Sequence, residues 1–288
     1  MRFTKMQGTG NDYVYVNLFQ ERVDNPGALA VLLSRPHFGI CADGLVLVGP
    51  SARADFSMRI FNSDGSEGEM CGNACRCVAK YLYERGLTRA TEFSLETRAG
   101  IRRLWLTVEN DQVSLVRVDM GAPVLEPARI PVALSDGQDA SCLQLMVDGE
   151  TVTATCVSIG NPHAVIFVED PQAVAVERLG PMIERHPAFP HHTNVEFAHV
   201  EDGRIRMRVW ERGAGETLAC GTGACAALTA AVITGRCRRE ADVELPGGII
   251  HVWWDADGHI YQQAGAEFVF DGVWPDMSEE ELCCAANQ

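Results

Sequence analysis

The sequence lacks the features of two broad classes of protein. No apolar run approaches the roughly 18 residues of a membrane-spanning helix, and basic residues are scarce, with 24 Lys and Arg against 39 Asp and Glu and a net charge of −15. Nucleic-acid binding relies on clustered basic side chains, and no basic stripe or aromatic RNA-reading motif is present. We therefore expect no membrane and no nucleic acid as partners. No signal-peptide pattern is visible, which favours a cytoplasmic location.

Cysteine, in contrast, is abundant. The 288 residues include 11 cysteines, and their spacing follows no disulfide framework, so free thiols in a reducing compartment are expected. Three of them crowd into "MCGNACRC", Met70 to Cys77. This stretch allows three interpretations: a metal knuckle, a redox pair, or one working thiol with two neighbours in the core.

An internal repeat separates these interpretations. The segment "DGSEGEMCGNACRCVAKYLYERG" aligns with "GAGETLACGTGACAALTAAVITG" at an offset of 149 residues, which places Cys71 over Cys220. "GTGNDYVYV" aligns with "SIGNPHAVIFV", and "AGIRRLWLTVEN" aligns with "GGIIHVWWDADG", in the same order and at nearly the same offset. The repeat predicts a duplicated domain in which only Cys71 keeps a counterpart in the same Cys-Gly context, and it assigns Cys75 and Cys77 to helix packing.

The local patterns predict an α/β (α+β) fold. Segments such as "YVYVNLF" and "RLWLTVE" are typical of strands, and the segment after each Cys-Gly is typical of a helix that ends at Gly86 or Gly235. The second helix is apolar nearly all round and must be buried, so we expect two pseudo-symmetric domains, each a mixed or antiparallel sheet wrapped around a central helix. We place the N-terminal domain at residues 1–119 plus a returning strand in 266–288, and the C-terminal domain at residues 120–265.

In both halves the cysteine stands where a loop becomes a helix. The first turn of a helix binds anions such as a carboxylate through its N–H groups, and the same field is expected to lower the pKa of a thiol. Two such sites on either side of an interdomain cleft would suit racemisation. One thiolate removes an α-proton from one face, the opposing thiol protonates the other face, and backbone N–H groups stabilise the developing charge.

The sequence resembles the diaminopimelate epimerase family over essentially the whole chain. The resemblance rests on "KMQGTGNDYV", "FNSDGSE", "MCGN", "IGNPHAV", "HHTNVEF" and "ERGAGETLACGTGACA". It implies a cofactor-independent isomerase that interconverts LL- and meso-diaminopimelate in lysine and peptidoglycan-precursor biosynthesis. It also implies no cofactor, no metal, a small-molecule substrate and a homodimer.

The resemblance further implies roles for individual residues. Cys71 and Cys220 match the two acid/base thiols, and His163 and Glu211 match residues that support catalysis. The remaining positions match substrate-binding residues: Asn11, Asn62, Gly72, Asn73, Asn161, Asn194, Glu211, Arg212, Gly221 and Thr222.

Several positions depart from the family pattern, and three of them bear on the substrate, the first helical turn or the dimer. Gly44 stands where many members have a glutamine that contacts substrate, so that contact is absent or supplied by backbone. Ala74 replaces a glycine in the first helical turn, which a helix accepts readily. Phe270 replaces a tyrosine linked to dimer formation and is the candidate dimer contact.

Two other functions remain open. A cofactor-independent racemase of another amino acid, such as histidine or hydroxyproline, would keep the chemistry and change the substrate. A non-catalytic amino-acid-binding protein would need neither thiol. Asn62, Asn194 and Arg212 favour a substrate with a second charged head, and the presence of both thiols favours an enzyme.

Overall fold

The computed structural model describes residues 1–275, and they divide into two units. Unit 1 comprises Met1–Val118 together with the described residues from Ala264 onward, and unit 2 comprises Asp119–Gln263. Residues 276–288, the end of the predicted N-terminal domain, lie outside the described residues.

Unit 1 is a mixed sheet. Its strands pair in the order β18-β1-β2-β3-β4-β6-β7-β8, with β5 added beside β4. The β2–β3 and β4–β6 pairs are parallel and the others are antiparallel. The strands are β1 (Arg2–Gly8), β2 (Asn11–Asn17), β3 (Gly44–Gly49), β4 (Phe56–Asn62), β5 (Glu67–Gly68), β6 (Glu92–Thr97), β7 (Gly100–Glu109), β8 (Gln112–Gly121) and β18 (Glu267–Val273).

Unit 2 repeats this arrangement strand for strand. Its order is β9-β10-β11-β12-β13-β15-β16-β17, with β14 beside β13, and its parallel pairs are β11–β12 and β13–β15. The duplication expected from the repeat is confirmed. The strands are β9 (Leu143–Val147), β10 (Glu150–Ser158), β11 (Pro162–Phe167), β12 (Asn194–Glu201), β13 (Arg204–Glu211), β14 (Gly215–Thr217), β15 (Glu240–Leu245), β16 (Gly248–Trp254) and β17 (Ile260–Ala264).

Each unit carries one outer and one central helix. The outer helices are α1 (Pro26–Ser34) and α3 (Val176–Glu184), and the central helices are α2 (Gly72–Glu84) and α4 (Gly221–Ile233). Asn25 is the N-cap of helix α1, and its side chain accepts a hydrogen bond from the N–H of Ala28. Both central helices are followed by a glycine with positive φ, Gly86 at 74° and Gly235 at 71°. Glycine takes this conformation without the steric cost of a Cβ atom, which explains where the two helices stop.

The central helices are buried along almost their whole length. In α4 the residues from Gly221 to Ala231 are all buried, as the all-round apolar pattern predicted. Helix α2 is also buried, although it contains two basic residues. The buried ammonium group of Lys80 donates a hydrogen bond to the Val113 carbonyl at 2.9 Å and forms an ion pair with Glu84 at 2.9 Å. A buried cation is tolerated when such partners compensate for lost water.

One ion pair is duplicated along with the fold. Arg59 donates to Glu67 from β4 to β5, and Arg208 donates to Glu216 from β13 to β14, with Nε–Oε1 distances of 2.8 and 2.7 Å. Both contacts are bidentate, an arrangement that fixes geometry as well as charge. Each pair ties the short strand before a central helix to the sheet, so it helps to fix where that helix begins.

Gly44 lies where two strands approach closely. It starts β3 and faces Asn62 of β4. A Cβ at this position would lie 2.1 Å from the Phe61 carbonyl oxygen and 3.0 Å from Cε1 of Tyr13. The backbone therefore has no room for the glutamine that many relatives are expected to carry here, and the glycine follows from packing.

We predict that Gly44→Ala lowers the free energy of unfolding by about 1–3 kcal/mol, the usual cost of overpacking. Chemical denaturation measures the change. Gly265→Ala is the matched control, because a Cβ there would meet only the Ser114 carbonyl oxygen at 3.5 Å, an ordinary contact. Equal stability of the two variants would contradict the packing argument.

Candidate active site

The first half-site surrounds Cys71 in unit 1. Cys71 is the N-cap of α2, with extended backbone angles, and its Sγ accepts a hydrogen bond from the N–H of Ala74 at 3.5 Å. Gly72 and Asn73 form the first residues of the helix. The half-buried thiol therefore sits at the positive end of α2, beside N–H groups that have no acceptor within the helix.

Asn11 joins this half-site from the start of β2. Its Oδ1 lies 3.4 Å from the Sγ of Cys71 and 3.4 Å from Nδ2 of Asn73. Its Nδ2 donates to Oδ2 of Asp43 at 2.7 Å. Because a carboxylate only accepts, Asp43 orients the Asn11 amide so that the carbonyl end faces the thiol. Burial raises the pKa of Asp43, and its hydrogen bonds partly offset that effect.

Asn62 is placed differently from the other predicted residues of unit 1. Its Nδ2 donates to Oγ of Ser66 at 3.0 Å, and its backbone N–H donates to the Ser66 carbonyl at 2.9 Å. The exposed side chain therefore stabilises the turn that leads from β4 to β5.

Sequence reasoning did not identify Arg76, a fully buried residue one turn along α2 from Cys71. Its Nη2 donates to Oγ1 of Thr9 at 2.7 Å, and its Nε donates to the Gly265 carbonyl at 3.1 Å. The corresponding position in α4 is Cys225, a buried neutral residue. The sequence repeat could have drawn attention to Arg76, because it aligns this charged residue with the apolar Cys225.

The second half-site repeats the capping geometry around Cys220 in unit 2. Cys220 is the N-cap of α4, and its Sγ accepts from the N–H of Gly223 at 3.4 Å and contacts Oγ1 of Thr222 at 3.4 Å. Gly221 is the first helical residue. A Cβ atom on Gly223 would lie 2.8 Å from Oε1 of Glu196, so an alanine at this position would displace the carboxyl group. In α2 the same position accepts Ala74.

The expected lowering of the thiol pKa is wrong for Cys220. Burial raises the pKa of Cys220 well above its usual value, and the carboxyl groups of Glu211 and Glu196 raise it further. The hydrogen bonds from Thr222 and the N–H of Gly223 act in the opposite direction but are outweighed. The sequence showed the helix terminus and not the two carboxyl groups that the fold brings to it.

Glu211 lies at the end of β13, and its side chain forms a hydrogen bond with Cys220. Burial raises the pKa of its carboxyl group, and hydrogen bonds with Thr217 and Cys220 partly offset that rise. The Oγ1 of Thr217 donates to Oε1 of Glu211. A carboxyl group with a raised pKa next to a thiol is a typical acid/base arrangement.

His163 and Asn161 connect to Cys220 through a chain of hydrogen bonds. His163 is fully buried on β11. Its Nε2 lies 2.9 Å from Oδ1 of Asn161, and Nδ2 of Asn161 donates to Oγ1 of Thr222 at 3.3 Å. On the other side of the ring, Nδ1 lies 2.6 Å from Oε1 of Glu196. Glu196 was not predicted as a site residue.

Asn194 and Arg212 lie together in unit 2. Asn194 Nδ2 donates to the Pro162 carbonyl at 2.8 Å, and its Oδ1 accepts from the backbone N–H of Arg212 at 2.9 Å. The buried Asn194 amide thus fixes the backbone that carries the exposed Arg212. The Arg212 guanidinium donates to the His191 carbonyl at 3.3 Å through Nη1.

The two cysteines that crowd Cys71 are part of the core. Cys75 and Cys77 are fully buried in α2, and burial raises the pKa of each thiol to about 12. Such thiols remain protonated and poorly reactive at neutral pH. "MCGNACRC" therefore supplies one half-buried thiol to its half-site and two to helix packing.

Within residues 1–275, no helix has both the length and the apolar character needed to cross a membrane.

Two duplicated mixed sheets, each around a central helix, form a fold that this chain shares with solved structures described as a racemase and an epimerase. A probable proline racemase from Agrobacterium radiobacter superposes with a TM-score of 0.73 at 17% identity, covering 95% of this chain and 92% of its own. A hydroxyproline epimerase from Agrobacterium vitis gives a TM-score of 0.73 at 16% identity, with 94% and 91% covered. At these identities the likeness concerns the fold alone.

Sequence similarity identifies the particular family. The family profile described as diaminopimelate epimerase matches residues 3–126 and 155–269. A diaminopimelate epimerase from Desulfovibrio desulfuricans is 53% identical, with 95% of this chain and 98% of that protein covered. One from Acetivibrio thermocellus is also 53% identical, with 94% and 98% covered. The chain belongs to the diaminopimelate epimerase family.

We predict that iodoacetamide labels Cys220 slowly at pH 7 and that the labelling rate still rises between pH 8 and 9. The raised pKa keeps Cys220 as a thiol at neutral pH, and only the thiolate reacts. Glu211→Gln removes one source of the raised pKa and should accelerate labelling at pH 8. Mass spectrometry of each cysteine measures the rates, with the exposed Cys142 as internal reference. A Cys220 rate that is constant from pH 7 to 9 would show an existing thiolate and contradict this assignment.

Proposed function

We propose that this protein is a diaminopimelate epimerase, a cofactor-independent isomerase that interconverts LL- and meso-diaminopimelate in the biosynthesis of lysine and peptidoglycan precursors. The observation that carries the proposal is the pair of cysteine-capped central helices, Cys71 on α2 and Cys220 on α4. The relatives that are about half identical over nearly the whole chain bear the same name.

In the proposed reaction both thiols act on one α-carbon from opposite faces. A thiolate removes the α-proton, which breaks the C–H bond and leaves a carbanion conjugated with the carboxylate. The opposing thiol then donates its proton to the other face, which forms a new C–H bond with inverted configuration. One cysteine gains the proton that the other loses, so the reaction needs no oxidant or reductant. The raised pKa of Cys220 favours its protonated form in the free protein, the form that donates.

The N–H groups of the two helix starts are proposed to stabilise the intermediate. Gly72 and Asn73 begin α2, and Gly221 and Thr222 begin α4. Negative charge grows on the substrate carboxylate as the α-proton leaves, and N–H donors aimed at that charge lower the barrier. Removing one such donor typically costs about 3 kcal/mol, so several donors offset much of the difficulty of ionising a weak carbon acid.

The remaining predicted residues are proposed to recognise and orient the substrate. Glu211, with its raised pKa, is assigned to the reacting amino group together with Arg212. Asn11 and Asn161, which lie in the half-sites of the two thiols, are assigned together with Asn62 and Asn194 to the distal amino-acid head. A cationic guanidinium and several amides suit a substrate with a second charged carboxylate and amine.

The test incubates the reduced protein with LL-diaminopimelate in D₂O and follows α-deuterium incorporation and the LL/meso ratio. We expect exchange and equilibration in the wild type, and a loss of at least about 100-fold in Cys71→Ala and Cys220→Ala, since each removes an acid/base group. Cys142→Ala, which removes an exposed thiol, is the matched control and should keep wild-type activity.

Parallel incubations with histidine and trans-4-hydroxyproline decide the substrate. Exchange with either of these but not with diaminopimelate would replace the substrate assignment and leave the two-thiol chemistry intact. No exchange with any of them under reducing conditions would overturn the proposed enzyme activity.

We further propose a cytoplasmic homodimer that associates through β18. Among the described strands, β18 pairs only with β1, and it exposes Val269, Phe270 and Val273. An unpaired strand edge with exposed apolar side chains is a ready surface for a second chain. Phe270 packs edge-on against Phe3 with ring centroids 5.9 Å apart, which holds it at this edge.

We predict that Phe270→Asp shifts the protein from dimer to monomer in light scattering coupled to size-exclusion chromatography, because it places a charge in an apolar interface. Phe38→Asp is the control, since Phe38 is an 82% exposed phenylalanine of the same unit that is not part of β18. A wild-type monomer, or a Phe270→Asp variant that remains dimeric, would reject β18 as the interface.

A further inference from the structure

Glu196 is a buried carboxyl group that helps to raise the pKa of Cys220, and no substrate contact is assigned to it. It lies on β12, which runs parallel to β11 and places Glu196 beside Val165. Its side chain is fully buried. Its Oε1 contacts Nδ1 of His163 at 2.6 Å, whereas its Oε2 has no hydrogen-bond partner among residues 1–275. A buried acid with half of its hydrogen-bonding capacity used is costly to keep, so fold stability does not explain it.

The position of the carboxyl group is tightly defined by α4. A Cβ on Gly223 would lie 2.8 Å from Oε1 of Glu196 and 3.3 Å from Sγ of Cys220. Glu196 therefore occupies the space that a side chain in the first turn of α4 would need. The glycine at this position leaves room for the carboxyl group beside the start of the helix, where partial positive charge favours an acid.

His163 links Glu196 to Asn161 through its two ring nitrogens. Because Nδ2 of Asn161 faces Thr222, its Oδ1 faces Nε2 of His163 at 2.9 Å, and Nε2 is the donor in that contact. Nδ1 then either accepts the proton of the Glu196 carboxyl group or, in a doubly protonated ring, donates to the Glu196 carboxylate. Asn161 then presents its NH₂ group to Oγ1 of Thr222 at 3.3 Å. Thr222 in turn contacts Sγ of Cys220 at 3.4 Å. A neutral ring protonated only at Nδ1 would reverse the Asn161 amide and present an acceptor to Thr222.

We propose that Glu196 is a positioning residue, which holds the imidazole of His163 so that Asn161 directs its NH₂ group toward Thr222 and Cys220. Glu196 acts through His163 and does not itself touch the substrate. The kinetic consequences of this proposal rest on the proposed epimerase function. The contacts from which it is argued all lie within unit 2.

The first experiment measures the ring directly and needs no activity. Protein labelled with ¹⁵N-histidine is examined by NMR, and the His163 signals are assigned by their absence from His163→Gln. We expect a proton on Nε2 in the wild type and a far-downfield proton in the Nδ1–Glu196 contact, which Glu196→Gln should abolish. A wild-type His163 protonated only at Nδ1 would overturn the proposal, and this result is obtained without any variant of Glu196.

The second experiment is a double-mutant cycle in the epimerase assay. Glu196→Gln should lower kcat at least tenfold while KM changes less than threefold, because substrate contacts remain. In a His163→Gln background the same substitution should lower kcat by a clearly smaller factor than in the wild type, because the positioning effect is already lost and only the charge effect of Glu196 on Cys220 remains. Glu201→Gln, the same change at an exposed position of β12, is the control and should keep wild-type kinetics.

The outcomes separate this proposal from the proposed function. Effects of Glu196→Gln and His163→Gln that multiply fully, or a Glu196→Gln variant with wild-type kcat, would overturn the positioning role. A wild type that shows the predicted ring protonation but no exchange with any amino acid would support the positioning role and reject the epimerase.

Discussion

The buried N-terminus of each central helix is the constraint on which both units depend. A helix start carries N–H groups without intrahelical acceptors, and burying them requires partners. Cys71 and Cys220 supply one partner each, since their sulfurs cap α2 and α4 through Ala74 and Gly223. The same capping geometry leaves the thiols beside the remaining N–H groups. A structural requirement of the fold thus creates the place where a carboxylate and a sulfur base can meet.

Around this shared geometry the two half-sites differ in charge. Next to Cys71 the buried group is a guanidinium, that of Arg76. Next to Cys220 the buried groups are two carboxyl groups, those of Glu196 and Glu211, which raise the pKa of the thiol. The duplicated backbone therefore repeats the position of the thiol and does not repeat its electrostatic surroundings. Such a difference suits a reaction in which one sulfur starts as a base and the other as an acid.

The fold was largely predictable because its signals are local or repeated. The apolar pattern of "ACAALTAAVITG" demanded a buried helix, and α4 is buried from Gly221 to Ala231. The aligned segments predicted two units of the same design, and the strand pairings repeat one by one. The close packing around Gly44 was harder to predict from the sequence. Its close approach to the Phe61 carbonyl arises between β3 and β4 and leaves no pattern in either segment alone.

The sequence alone determined the duplication, the two capping cysteines, and the assignment of Cys75 and Cys77 to the core, because each follows from spacing along the chain. Only the tertiary structure decided the surroundings of the thiols. Glu196 reaches His163 through the parallel pairing of β11 and β12 across 33 residues of sequence, and Asp43 reaches Asn11 across 32. Burial and through-space charge depend on such contacts, so the direction of the Cys220 pKa could not be read from its helix terminus.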